Sequence, residues 1–553
     1  MLQFGLYYAP DAYGTDQKLM GRQSAGRSLL RAAVQARPDR IWCYTASRTD
    51  ADHFGRLIAS LGLLPLPEMR FISFLEPNRL ARCGTLYRPD PDIGEDAWHR
   101  QFFGTARDYS LCGITHTLSS HGVYQAVTRL LHAPVFPWDA VICTSTVARG
   151  VVRDLLENEK EHQRQRLGST RWQEPQLPVI PLGTHCDDYA FSAETREASR
   201  RHFGLAPEDI VVLFAGRLVF HAKAHPMPMF LALQEAAQRS SRELTLVLFG
   251  QFPNVSIADA FQKEACQFAP SVRLIVLDGG VAANRELAWS CADIFTSFAD
   301  NIQETFGLTP VEAMAAGLPV VVSDWNGYKD TVRDGVDGFR IPVWTLPPGH
   351  KNDFAHQLDA RLTSYDRHIG MVSQFTAVDV KAAAEAFVEL INSSALRAEM
   401  GSAGRRRVRE LFDWRVVFQS YVALWENLSI IRGNSPPIDG ERSTARRPDR
   451  PDPFTLFRTY PTHHVGKQTW ISFNRYFDTN LLPDLPSLSS VNYAARAIPT
   501  QSLIDLVLAF IGDGVKVEEL EVRCPEIRRE ELLQAVTWLA KMGVVILRTE
   551  GAA

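Results

Sequence analysis

Short, continuous apolar runs separated by amphipathic segments constrain this chain more than any other feature. The runs lie at residues 4–9, 140–144, 210–215, 244–250, 272–277, 293–298 and 319–323. A strand with one face in water alternates apolar and polar residues. A strand that is apolar throughout has both faces covered, as in a parallel sheet flanked by helices. Segments 229–239 and 310–316 between the runs have helical spacing. This β-α-β alternation predicts doubly wound α/β layers. Residues 1–190 hold one set. Residues 191–430 hold a second, more regular set with a helical tail from about 352. The expected architecture is two tandem Rossmann-like domains facing across a cleft, joined near 178–183. In such sheets ligands bind outside the carboxyl ends of the strands.

A chain of 553 residues has room for about three domains. Residues 431–455 read as a linker, because Arg432 to Pro453 contains almost no apolar side chain. Residues 456–553 follow as a separate module. Their last part reads as helix 500–511, turn 512–514, short helix 517–522, helix 528–542 and strand 544–549, which resembles a winged helix. A DNA-reading helix is basic, whereas here Arg528, Arg529 and Lys541 are offset by Glu530 and Glu531, and Glu518, Glu519 and Glu521 precede them. The module therefore suits docking to a protein partner, or to the rest of the chain, better than nucleic acid. The whole chain carries 59 basic and 63 acidic residues, a net charge of −4, which gives no general attraction to polyanions.

The 8 cysteines are scattered with no Cys-x-x-Cys pair, so no zinc or dithiol motif is expected, and they read as small buried hydrophobes in a reducing compartment. No apolar stretch of about 20 residues predicts a membrane span, and the first residues lack the pattern of a secretory signal. A cytoplasmic protein is expected, with peripheral membrane contact left open.

Two segments carry candidate chemistry. After the run at 210–215, Gly216-Arg217 is followed by Lys223, and a planar guanidinium with an ammonium suits a diphosphate. After the run at 293–298, a polar loop leads to a helix expected at 310–316, with Thr309 as N-cap and Pro310 as first helical residue. Gly307, Leu308 and Thr309 then sit at a helix N-terminus, where backbone amides attract anions. Glu304 and Glu312, eight positions apart, bracket that end. The same residues also suit structural roles: Glu312 complementing the helix dipole, Glu304 solvated in its loop, and Arg217 and Lys223 solvated after a strand.

These segments resemble the carboxyl-terminal domain of a family 4 retaining glycosyltransferase with the GT-B fold. Glu304 to Glu312 matches that family's E-x7-E pattern, and Gly216, Arg217 and Lys223 match its donor-phosphate segment. Stretches 314–321, 334–339, 179–183 and 140–145 are similar too. The resemblance covers roughly residues 1–430 and is strongest over 175–345. It implies transfer of a sugar from a nucleotide-sugar, UDP- or GDP-linked, without a metal or other cofactor. It implies that Arg217 and Lys223 hold the diphosphate, the Gly307–Thr309 amides cap a phosphate, Glu312 binds ribose hydroxyls and Glu304 contacts the transferred sugar. The family's glycine-rich loop after its first strand points to Gly14 and to the stretch from Gly21 and Arg22 to Gly26, and its acceptor-side histidine points to His116. Trp325 and Tyr328 would border the sugar, and His185 and Asp187 would act at the hinge. The acceptor stays open among glycan, lipid-linked, small-molecule and protein substrates. A regulatory protein that binds nucleotide-sugar through a degenerate transferase domain is the alternative.

Overall fold

The computed structural model describes residues 3–13, 21–438 and 447–549. The chain forms two compact units, residues 1–445 and 446–553. The first unit holds two parallel sheets of six strands each. One comprises β1 (Gln3–Tyr7), β2 (Arg40–Thr45), β3 (Glu68–Ser73), β4 (Thr85–Tyr87), β5 (Ser110–Ile114) and β6 (Ala140–Ile142), in the order β3-β2-β1-β4-β5-β6. The other comprises β7 (Ile210–Ala215), β8 (Leu244–Gly250), β9 (Val272–Asp278), β10 (Ile294–Ser297), β11 (Val320–Ser323) and β12 (Gly338–Ile341), in the order β9-β8-β7-β10-β11-β12. Both therefore have the Rossmann order, with the direction of winding reversing between the first and fourth strands.

Every residue of β7 and β11 is buried, which is why such strands read as unbroken apolar runs. Strands β2 to β5 escape that criterion. β3 is a half-exposed edge strand carrying Glu68 and Arg70, β4 has three residues, and β5 contains Gly113. The cysteines are all free and seven are buried, as expected, but Cys266 is exposed, because it falls on the outer face of the helix Val255–Phe268.

The helix Trp414–Asn434 closes the first unit. It belongs to the stretch that the apolar pattern groups with the second sheet, yet it runs back across the first. Trp425 packs on Phe4 with ring centroids 4.9 Å apart, and Tyr421 lies 5.9 Å from Tyr87. The crossing is pinned where Thr184 and Asp413 form a bridge. Gly183 is required there, since a Cβ would come 2.4 Å from the Trp414 ring. The helix continues to Asn434, so residues 431–434 are helix rather than linker, and Arg432 donates to Gly84 O at 2.7 Å. One apolar cluster consequently runs through residues of both sheets, from Phe4 to Leu428.

After β12, a hairpin of β13 (Val343–Thr345) and β14 (Thr376–Val378) encloses the helices Asn352–Asp359 and Tyr365–Ser373. In the second unit, β15 (Trp470–Phe473) pairs antiparallel with β16 (Val515–Lys516) and β17 (Val545–Arg548). Helices Gln501–Ile511, Val517–Arg523 and Arg529–Lys541 pack on that sheet around Ile471, Ile504, Leu520, Leu532 and Leu539. Among the described residues no helix is long and apolar enough to cross a membrane.

An ion pair lies inside the first α/β layer. Arg100 holds Asp139 through two bonds of 2.7 and 2.8 Å with both side chains fully buried, and Asp139 also accepts the N–H groups of Leu111 and Phe136, each at 2.9 Å. Removing one partner strands the other charge in the core. Asp139→Ala should therefore cost about 3–5 kcal/mol, measured as a lower urea midpoint. An unchanged midpoint would refute this account of the layer.

Candidate active site

The reversal of winding in the second sheet lies between β7 and β10, and the loops that leave these strands carry the candidate charges. β7 is followed by Gly216, whose N–H donates to Phe249 O at 3.0 Å. Lys223, in the loop that follows, places Nζ 2.5 Å from Glu304 Oε2 in the loop after β10. The two side chains are only 15% and 16% exposed, so neither is a solvated loop residue. Burial alone would raise the Glu304 pKa, but the Lys223 ammonium and the backbone N–H groups of Phe306 and Thr305 outweigh it and hold the carboxyl below its ordinary range. Burial would likewise lower the pKa of Lys223, but Glu304 raises it above the ordinary lysine value. Arg217 takes a different partner, donating from Nη2 to Gln303 Oε1 at 2.5 Å and to Ala222 O at 3.0 Å.

The helix that follows starts earlier than its Thr-Pro sequence suggests. It spans Leu308–Ala316 with Gly307 as N-cap at φ 89°. The expectation of Thr309 as N-cap and Pro310 as first residue does not hold, because the chain turns at Gly307, where a Cβ would come 2.0 Å from Tyr328 Cε1. Leu308 and Thr309 thus supply the first-turn amides, and Thr309 Oγ1 is buried without a hydrogen-bond partner. Glu312 lies beyond the first turn, too far along to complement the helix dipole. It is half-buried and shares a hydrogen bond with Tyr189, and burial raises its pKa. Arg285 caps this group, its guanidinium 4.5 Å from the Tyr189 ring centroid.

The two α/β halves meet around the same loops. Ser145 Oγ donates to Thr305 O at 2.8 Å, and Thr305 Oγ1 donates to the carbonyl of His116. His116 follows β5 and is brought next to the loop holding Glu304. Trp325 Nε1 donates to Asn301 O at 3.0 Å, Asn326 donates to Glu304 O, and Tyr328 OH bonds Ser297 Oγ at 2.9 Å. These contacts set the loop after β11 beneath that of Glu304. His185 and Asp187 tie the interdomain link instead, to Ser28 O at 3.1 Å and to Arg415 at 3.4 Å. Gly21 opens the helix Gly21–Gln35. Gly14 lies outside the described residues, as does the side chain of Arg22. Gln303, Asn301, Tyr189, Arg285 and Tyr365 join the site without a sequence signal, since each is fixed by tertiary partners. Among the described residues no cluster of His, Cys, Asp or Glu could hold a metal ion.

Asp300 lies under the Glu304 loop, 3% exposed. Its Oδ2 accepts the N–H of His225 at 3.1 Å, and its Oδ1 is buried without a hydrogen-bond partner. Burial pushes its pKa up to about 7. An unfolded aspartate ionises near 3.9, so the folded state binds the proton more tightly. The associated stability is full below about pH 4 and is lost as the pH rises to about 7. Asp300→Asn has no such titration. Its stability relative to the parent should grow between pH 4 and pH 7 by on the order of a few kcal/mol and then level off. Parallel urea titrations of both proteins at pH 4 and pH 8 test this, and an equal difference at both would count against it.

Residues 209–364, which hold the second sheet and its loops, match the family described as Glycosyl transferases group 1. A D-inositol 3-phosphate glycosyltransferase of Nocardia farcinica is 28% identical over 216 residues, 38% of this chain and 46% of that protein. A phosphatidyl-myo-inositol mannosyltransferase of Mycobacterium tuberculosis is 27% identical over 293 residues, 52% of this chain and 64% of that protein. The chain thus spans less than two thirds of the length of these relatives. The Anabaena protein HepE, solved in complex with UDP, superposes with a TM-score of 0.52 at 16% identity, over 77% of this chain and all of that one. The same protein solved with UDP and glucose gives 0.51. At this identity the likeness concerns the fold, and the fold is GT-B.

Proposed function

We propose that the chain is a glycosyltransferase that moves a sugar from a nucleotide-sugar to an acceptor with retention of configuration at the anomeric carbon. The observation that carries this reading is the buried Lys223–Glu304 pair at the winding reversal of the second sheet, beside a helix start with open amides. A donor lying over the pair meets Lys223 and Arg217 with its diphosphate and Glu304 with its sugar hydroxyls. The amides of Leu308 and Thr309 face a phosphate, and Glu312 accepts from the ribose hydroxyls. HepE, solved with UDP and with UDP and glucose, supports a nucleoside diphosphate in a fold of this kind.

In the reaction, the bond between the anomeric carbon and the diphosphate oxygen breaks, and the acceptor oxygen forms its bond on the same face. The acceptor proton passes to the departing phosphate. Arg217 and Lys223 counter the charge that grows on that leaving group, an electrostatic contribution of several kcal/mol in a dry site. Contact between the halves excludes water that would otherwise hydrolyse the donor. His116, beside Thr305, stands on the acceptor side. The named relatives act on inositol-containing compounds, so a polyol of that class is the first acceptor to try. Residues 456–553 are read as a winged-helix-like module that docks to protein. In support, Arg528 pairs with Glu531, and Arg529 pairs with Glu521 at 2.9 Å, which ties up two of the three cations a DNA-reading helix would use.

The reading is tested by melting the protein with UDP, UDP-glucose and GDP-mannose, and by transfer assays with whichever donor stabilises it. Glu304→Gln should lower transfer about 100-fold or more while keeping the stabilisation by the nucleotide. Transfer by this variant at the parent rate would refute the assignment.

A further inference from the structure

The helix Tyr365–Ser373 begins one residue past the matched family segment and lies over the loop that carries Arg217 and Lys223. The Tyr365 ring packs, as Ile302 does, against the cluster of Val219, Ala222 and Ile369. Asn301 Nδ2, from the loop after β10, donates to His221 O at 2.7 Å and to Ile369 O at 3.5 Å. Helix and loop are thereby held as one body.

The hydroxyl of Tyr365 is the only group of that helix that bonds to both α/β halves among the described residues. It lies 2.7 Å from Ser119 Oγ and 3.2 Å from Thr117 Oγ1 in the first half, and 3.1 Å from Gln303 Nε2 in the second. The direction of the chain follows from donor chemistry. Arg217 has only donors, so Gln303 must offer it the amide oxygen, at 2.5 Å. The Gln303 amide nitrogen then faces Tyr365 and donates to its oxygen. The Tyr365 proton is left for Ser119 or Thr117. The links from Arg217 to Gln303 and from Gln303 to Tyr365 each have one orientation, so the first half, through Tyr365 and Gln303, adds to Ala222 O a second constraint on the position of the guanidinium.

We infer that Tyr365 is a positioning residue, which couples contact between the two halves to the orientation of Arg217 through Gln303. The inference rests on the reading of Arg217 as a ligand of the donor diphosphate. Without the tyrosine hydroxyl, Gln303 loses its acceptor and Arg217 its fixed side-chain partner, leaving it Ala222 O, although the ring still fills its place over the loop.

Tyr365→Phe keeps that packing and removes the hydroxyl. Its kcat/KM for the donor is expected to fall about tenfold, with the acceptor KM and the melting temperature unchanged. Gln303→Ala should give a similar loss, and the double variant should lose no more than either single one, since both break one chain. A structural role alone would instead lower the melting temperature and leave the two losses additive, which would overturn the inference. A second readout needs no turnover: hydrogen exchange of segments 115–120 and 301–305 should be faster in Tyr365→Phe than in the parent. If the parent transfers sugar from neither UDP-glucose nor GDP-mannose, the transferase reading fails for these donors. Exchange then decides the coupling by itself: faster exchange supports it, and unchanged exchange overturns it.

Discussion

The arrangement of the second sheet's loops depends on one buried contact, between the Lys223 ammonium and the Glu304 carboxylate, 81 residues apart in sequence. Two charges removed from water are costly unless further hydrogen bonds complete their shells. Here the amides of Thr305 and Phe306 serve the carboxylate, and Tyr328 joins the ammonium to Ser297. The pair therefore does more than neutralise charge. It fixes the loop after β7 against the loop after β10, forces the turn at Gly307 beside the Tyr328 ring, and so sets where the helix Leu308–Ala316 begins. Open amides, an acidic group and two cations end up within one small volume because these two strands are neighbours.

The second determinant is how the chain closes on itself. The helix Trp414–Asn434 leaves the second half and buries its aromatic face on the first sheet, and Gly183 is the position that lets the link pass Trp414. With the halves tied at this end, their loops meet at the cleft through Ser145 and Thr305, His116 and Thr305, and Tyr365 with Ser119. The cleft is thus a property of the shared core, and no single segment encodes it.

Much of this was legible in the amino-acid pattern, for physical reasons. Strands covered on both faces must be apolar throughout, so β7, β8, β10 and β11 stand out. The E-x7-E spacing and the glycine after β7 name Glu304, Glu312, Gly216, Arg217 and Lys223 before any coordinates. An exposed edge strand that carries charges leaves no such trace, which is why β3, with Glu68 and Arg70, escapes notice. Local capping chemistry misleads at Thr309, since the start of the helix is decided by a glycine at positive φ pressed against Tyr328, a residue twenty-one positions away.

The sequence by itself determined the two β-α-β sets and the identity of the charged residues, because periodicity and residue chemistry are local properties. Only the tertiary structure decided who partners whom. Lys223 faces Glu304 and Arg217 faces Gln303 because the order of strands brings β7 beside β10, and Tyr365 reaches Ser119 because a helix in the hairpin after β12 folds back over the loop. Hydrogen bonds and ion pairs depend on distance in space, and no residue spacing along the chain records it.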